Sequence, residues 1–236
     1  MSLRKQSAAT VEYPETDGEP MGETELHIQL IIDLRTALRH FFRNQTDVYV
    51  GSNLLLYHIE GDPKKFVVPD VFVARGVSKA SRRIYKLWEE GQPPQVVFEV
   101  SSRGTWGEDL QRKWRLYEQL GVKEYFIFDP EYDYLMKSFG ESLLAYRLAE
   151  GQYTQLELEE GRVRSEELGL ELVDTGEVLR LYDPQTGQFL LTTDEEIEAR
   201  LRAEQARQQA EAEVAQLREE LARLQHQAGR ENDDVQ

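Results

Sequence analysis

Cysteine is absent from the 236 residues, which excludes both a disulfide framework and a thiolate metal site. No apolar run approaches the ~18–20 residues that span a bilayer. The N-terminus also lacks the apolar core of a secretory leader, so no membrane segment is expected and the cytoplasm is the expected compartment. Positive charge is scarce: 28 Lys and Arg stand against 44 Asp and Glu, for a net charge of −16. Such a balance excludes a basic protein that coats nucleic acid. The acidity is uneven, however. Residues 1–25 carry −4 and residues 194–236 carry −6, which leaves −6 for residues 26–193. An acidic domain can still handle phosphates where a metal ion supplies the local positive charge.

Length and composition fit one ordinary domain with appendages. Residues 1–22 are polar, contain Pro14, Gly18, Pro20 and Gly22, and read as a flexible lead-in. From residue 23 the pattern changes: Leu26, Leu30, Leu34, Leu38 and Phe42 recur every four residues. This predicts an amphipathic helix of about 18 residues with Thr24 as its N-cap. Glu25, at the helix start, is either a dipole partner or an acid available to a site, and His27 is either a satisfied histidine or a functional one. Extended runs follow at 47–50, 54–57 and 66–73. Residues 75–94 form a basic, aromatic-containing connection with Arg82, Arg83, Tyr85, Lys86 and Trp88. It reads either as a solvated loop or as a phosphate-contacting surface with a ring for stacking.

Two consecutive apolar runs each contain an acid. One is Phe66-Val67-Val68-Pro69-Asp70-Val71-Phe72-Val73, the other Gln95-Val96-Val97-Phe98-Glu99-Val100-Ser101. A carboxylate in a buried strand is costly unless hydrogen-bonded, paired or bound to metal. After a polar turn at residues 101–105, a helix from about Gly107 to Leu120 stops at Gly121 and carries Lys113 at its apolar border. Glu124–Phe128 is another buried strand, so the region is a βαβ unit. If the two acid-bearing strands are neighbours, about 4.8 Å apart, Asp70 and Glu99 can share one ion. Oxygen-only ligands select Mg²⁺ or Mn²⁺, and the carbonyl of Val100 can add a ligand. Each residue also has a plain reading: Asp70 ends a turn after Pro69, and Lys113 neutralises Glu99 or Asp109. Short strands with hairpin punctuation continue to about residue 191. The tail is helical from 194 to 224, with a short coiled-coil seam at Val214, Leu217, Leu221 and Leu224 and a disordered last dozen residues.

Taken together, Val68-Pro69-Asp70-Val71, Val97-Phe98-Glu99-Val100-Ser101-Ser102, Asp109-Leu110-Gln111-Arg112-Lys113 and Leu116–Tyr125 resemble the Uma-type restriction-endonuclease family of the PD-(D/E)XK nuclease superfamily. The likeness covers roughly residues 23–190. It implies an α/β fold, a restriction-endonuclease-like mixed β-sheet flanked by helices, with β-hairpin additions before the helical tail at 191–236. It also implies Mg²⁺-dependent cleavage of DNA phosphodiesters. Asp70 and Glu99 carry over as metal ligands, and Glu25 matches the extra acid on the first helix. Ser101 stands where the superfamily places lysine, and Lys113 looks like its migrated replacement. Asp109 and Tyr117 belong to the pattern without a role that follows from their chemistry. The expected enzyme is a DNA endonuclease, dimeric so that two sites meet two strands, with Arg82, Arg83 and Lys86 against the substrate. Two other classes stay open. One is an inactive nuclease-fold protein that binds a protein partner through its tail; the other is a metal-dependent phosphohydrolase acting on nucleotides or RNA.

Overall fold

The computed structural model describes residues 11–16, 24–101 and 106–233, with side chains described as far as Leu221. The chain divides into two units, Met1–Leu190 and Leu191–Gln236. Helix α1 (Glu25–Phe41) forms as its four-residue periodicity predicts, burying Leu30, Ile31, Leu34, Ala37 and Leu38. Thr24 caps it by accepting the His27 N–H at 3.3 Å. At the other end Lys79 Nζ donates to the carbonyls of Phe42 and Arg43 at 2.6 and 3.1 Å, meeting helix-end oxygens that have no intrahelical donor.

In chain order, α1 is followed by β1 (Val48–Ser52), β2 (Leu56–Tyr57), β3 (Phe66–Val67), β4 (Val71–Arg75), β5 (Tyr85–Lys86) and the short α2 (Leu87–Glu90). Then come β6 (Val96–Val100), α3 (Trp106–Glu108), a π turn (Asp109–Lys113), α4 (Trp114–Leu120) and β7 (Glu124–Phe128). The run predicted as one strand, 66–73, is two. Pro69 has no N–H to give a ladder, so the chain leaves β3 before it and enters β4 after Asp70. β3 joins a small sheet in the order β3-β2-β5, whereas β4 joins the main six-stranded sheet, β1-β4-β6-β7-β8-β9. The remaining main-sheet strands are β8 (Leu143–Ala149) and β9 (Gln152–Leu156). The sheet is mixed: β6 and β7 run parallel, while their outer neighbours are antiparallel. Parallel strands need a crossover, and the α3–α4 segment is that crossover.

The main sheet is covered on both faces. Val71, Val73, Phe98, Phe126 and Phe128 share one core with α1 and with a four-stranded antiparallel sheet. That sheet comprises β10 (Arg162–Arg164), β11 (Glu171–Asp174), β12 (Leu179–Asp183) and β13 (Gln188–Phe189). Phe72, Val97, Tyr125 and Ile127 point the other way, to Tyr85, Tyr117 and Leu135. Glu124, buried at the start of β7, binds Arg147, the Ser165 hydroxyl and the Glu166 N–H, tying the four-stranded sheet to the main one.

Three segments differ from the sequence-based expectation. Residues 11–16, expected in a flexible lead-in, dock on the small sheet: Tyr57 OH donates to the Pro14 carbonyl at 2.7 Å, and the Tyr13 and Tyr57 rings meet at 5.0 Å. The rest of that lead-in lies outside the described residues. Within the stretch expected to hold strands, Tyr134–Phe139 is helix α5. Asp129 starts it by accepting the N–H groups of Asp133, Tyr134 and Leu135, a carboxylate on helix-initiating donors. In the second unit, helix α6 (Thr193–Asp233) runs 41 residues, so the backbone expected to be disordered from 225 continues as helix to Asp233. The side chain of Leu224 and residues 234–236 lie outside the described residues, as do residues 102–105 of the turn expected at 101–105.

Candidate active site

The site sits where β4 begins and β6 ends. The ladder pairs Val71 with Phe98 and Phe72 with Val97, so the next step of the same register sets Asp70 opposite Glu99. There the backbone pairing gives way to a side chain: the Val100 N–H donates to Asp70 Oδ2 at 2.7 Å. Val100, expected to contribute a carbonyl, therefore meets Asp70 through its amide. The two acids differ in burial. Asp70, just outside its strand behind Pro69, keeps 17% of its side chain exposed. Glu99, inside a strand whose five residues are all buried, keeps none.

Glu99 has two partners. Lys113 Nζ donates to Oε2 at 2.9 Å and Tyr117 OH to Oε1 at 2.8 Å. Lys113 also lies 3.0 Å from Asp109 Oδ1, and the backbone carbonyl of Asp109 accepts the Tyr125 hydroxyl at 3.1 Å. Asp109, Lys113 and Tyr117 thus turn one helical row onto the sheet. The helix there is not regular α: Asp109–Lys113 is a π turn between α3 and α4. The extra residue of a π turn re-aims side chains and is frequent at functional sites. From the other side of the sheet α1 reaches in with His27, whose Nε2 lies 3.7 Å from Asp70 Oδ2. Glu25, the expected extra acid, is exposed at the first turn of α1. His27, two residues on, is the α1 side chain that meets the cluster.

Charge at the centre is unbalanced. Burial pushes the Glu99 carboxyl well above the ordinary range; Lys113 works against that, while Asp70 and Asp109 add to it. Burial lowers the affinity of Lys113 for its proton, but Glu99, Asp109 and Asp70 outweigh it and hold the ammonium above the usual lysine range. One cation faces three carboxylates. A divalent cation fits this surplus: Mg²⁺ typically takes only one or two carboxylates and fills its remaining positions with water and phosphate oxygens. Among the described residues no group of three or more His, Cys, Asp or Glu side chains is placed to hold a metal ion, so the candidate side-chain donors are the pair Asp70 and Glu99 alone.

The basic connection is largely committed internally. Arg82 makes a two-pronged pair with Glu90, Nε–Oε1 2.5 Å and Nη2–Oε2 2.7 Å, and lies 4.2 Å over the Tyr49 ring. Lys86 pairs with Glu89 at 2.9 Å, and Tyr85 is fully buried and donates to the Gln92 carbonyl. Arg83 pairs with Glu15 but keeps 82% of its side chain exposed. Of Arg82, Arg83 and Lys86, Arg83 alone stands open to a substrate.

A family described as "Putative restriction endonuclease" (Uma2) matches residues 3–181. The chain belongs to the Uma2 family. The match spans the main sheet, both acid-bearing segments and the π turn, so the cluster around Glu99 lies within the matched residues. A crystal structure described as "a putative nuclease belonging to DUF820", from Anabaena variabilis ATCC 29413, is similar over 67% of this chain and 86% of that one, with 13% identity and a TM-score of 0.47. Among curated proteins none matches. Membership in the Uma2 family and the α/β architecture were readable from the motifs. The roles of Asp109 and Tyr117 were not: i, i+4, i+8 spacing shows that three residues share a face, but not that the face meets a buried glutamate.

Proposed function

We propose that this chain is a metal-dependent endonuclease that hydrolyses DNA phosphodiester bonds, with Mg²⁺ or Mn²⁺ held by Asp70 and Glu99. The observation that carries the reading is the opposition of these two acids at one sheet end, with Lys113 on Glu99 Oε2. When bound, such an ion supplies charge neutralisation at the phosphate and a more acidic water. Asp70 is oriented by the Val100 N–H, and the Val100 carbonyl remains the proposed backbone ligand; exposed Glu25 is placed less favourably for that role than His27.

Lys113 acts as a cation, since three carboxylates favour its protonated form. An ammonium carries three donors. Glu99 accepts one and Asp109 lies 3.0 Å away as an ion pair, so the ammonium keeps a donor to meet the phosphate or the attacking water, stabilising charge as it develops. Asp109 and Tyr117 are positioning residues: one fixes the ammonium, the other the carboxylate. Hydrolysis breaks one P–O bond and adds the elements of water across it, leaving a phosphate end and a hydroxyl end. In this reading the enzyme is a dimer, so that two sites address two strands.

The test is calorimetric titration with Mg²⁺ and Mn²⁺ of the wild type, Asp70→Ala and Glu99→Ala, alongside incubation with supercoiled plasmid. The expected result is metal binding lost in both variants and metal-dependent nicking by the wild type alone. Absence of metal binding by the wild type, with DNA present, would overturn the reading in favour of an interaction module acting through α6.

A further inference from the structure

One cavity beside α1 is walled by cations with no carboxylate among them. It measures about 310 Å³, and its lining includes Arg35 and Arg39 of α1, Arg43 just beyond that helix, Tyr49 of β1, and Lys79 and Ser81 of the connection after β4. In a chain of net charge −16 an acid-free wall with four cations is an exception. Arg35 and Arg39 stand at i and i+4 of α1 and so share one helix face, and Arg43 follows in the turn after the helix.

Part of this row has an ordinary explanation. Arg39, Arg43 and Lys79 lie near the carboxyl end of α1, where cations suit the helix dipole; Lys79 caps that end, and Arg43 donates to the His40 carbonyl at 3.0 Å. Arg35 lies outside it. It sits six residues before the last residue of α1, and its Nε is buried without a hydrogen-bond partner. Among the described residues neither Arg35, Arg39 nor Arg43 forms an ion pair with an acid. Burial, and then the charge of Arg39, lower the affinity of Arg35 for its proton, as expected where like charges crowd without an anion. Tyr49 and Ser81 add hydroxyls to the wall, and the guanidinium of Arg82 backs the Tyr49 ring.

We propose that this cavity binds a backbone phosphate of the DNA substrate, with the guanidinium forks of Arg35 and Arg39 as the principal donors. The proposal rests on the nuclease reading above. Its geometry suits a site remote from the reacting phosphate. Arg35 and Arg39 lie 8 and 12 residues beyond His27 on α1, about 12 and 18 Å along the axis. For a duplex laid along α1, advancing about 3.4 Å per phosphate, the cavity falls about four to five phosphates from the acid cluster. A contact so placed fixes where the strand runs without reading sequence.

The experiment is fluorescence anisotropy of a labelled 20-base-pair duplex with the full-length protein in chelator, over a series of KCl concentrations. Wild type, Arg35→Gln/Arg39→Gln and Arg35→Lys are compared, with circular dichroism to verify folding. The expected double variant binds duplexes of different sequence about tenfold more weakly, and its slope of log K against log salt is smaller by about 0.9, one phosphate. Arg35→Lys should recover the slope but only part of the affinity, because an ammonium lacks the fork. An unchanged affinity and slope in the double variant would overturn the proposal. So would a double variant that loses only inorganic phosphate or a mononucleotide, detected by phosphorus NMR, while duplex affinity holds; the cavity would then serve a small phosphate ester. Plasmid nicking with Mg²⁺ separates the two readings. Nicking that is equal in wild type and double variant removes the cavity's role alone, whereas duplex binding that depends on Arg35 in a protein that never nicks removes only the nuclease reading.

Discussion

Lys113 is the one cation facing three carboxylates, so its removal is felt by the fold as well as by any chemistry. With Lys113→Met, Glu99 and Asp109 stay buried without their ammonium, and breaking a buried pair in this way costs about 3–5 kcal/mol. The loss depends on pH. The folded-state carboxyl of Glu99 already titrates above the ordinary range. A group raised in this way contributes stability below its unfolded value, and that contribution is lost as pH rises through the folded one. Without Lys113 the Glu99 carboxyl rises further. The deficit of Lys113→Met against wild type should therefore be largest at pH 8 and shrink as the pH falls toward the ordinary glutamate range, as read by urea denaturation at a series of pH values. A deficit independent of pH would mean that Lys113 packs without pairing. Tyr117→Phe keeps the ring, which is fully buried, and removes a single donor from Glu99 Oε1. The expected cost is about 1.5–3 kcal/mol, the range for a hydrogen bond to a charged group, with weaker Mg²⁺ binding in calorimetry because the carboxylate loses its second anchor.

At the scale of elements, the connection after β4 separates structural cations from available ones, and a pair of variants can show it. Arg82 is 10% exposed and held by Glu90, so Arg82→Ala should lower the thermal midpoint, whereas Arg83→Ala, exposed and paired only with Glu15, should leave it within about 0.5 kcal/mol of wild type. Gly51 tests the edge of the main sheet. A Cβ there would enter the ring of Phe72 and press on Tyr49, so Gly51→Ala should cost about 1–3 kcal/mol by overpacking, measured by chemical denaturation. Which elements the sequence revealed follows the same logic. A period of four reports a helix packed on one side, an unbroken apolar run a strand buried on both faces, and a glycine a helix stop, so α1, β6, β7 and the capping at Gly121 were readable. Pro69 was visible too, but that β3 and β4 part into different sheets depends on which strand each finds. Asp129 directly follows the strand read at 124–128, and only the folded chain brings its carboxylate onto the N–H groups that begin α5. The π turn leaves no periodic signature over five residues. The arginine row at 35, 39 and 43 had the spacing to be noticed, but its meaning depends on the absence of acids opposite it, which is a property of the fold.

At the scale of the whole molecule, the second unit poses the question of assembly. No helix among the described residues is long and apolar enough to cross a membrane, so the 41 residues of α6, about 60 Å long, need another reason to be helical. Isolated helices are marginal in water, and most helical stability comes from packing an apolar face. Glu–Arg pairs at i, i+4, such as Glu198–Arg202, add only about 0.3–0.5 kcal/mol each. Yet Val214, Leu217 and Leu221 are 46%, 58% and 58% exposed. Their 3–4 spacing is the seam of a coiled coil, and a second copy of the same seam is the simplest cover for it, consistent with the dimer proposed for cutting two strands. The full-length protein should therefore sediment at twice its chain mass. Leu217→Glu/Leu221→Glu, which sets like charges along the seam, should sediment as a monomer with an unchanged thermal midpoint for residues 1–190, because that unit has its own two-faced core. Nicking of supercoiled plasmid should persist in this variant while conversion of nicked to linear DNA slows, since each strand would then be cut in a separate encounter. A variant that remains dimeric would place the interface on the first unit, and one that linearises plasmid as fast as wild type would show that cutting two strands does not require two joined sites.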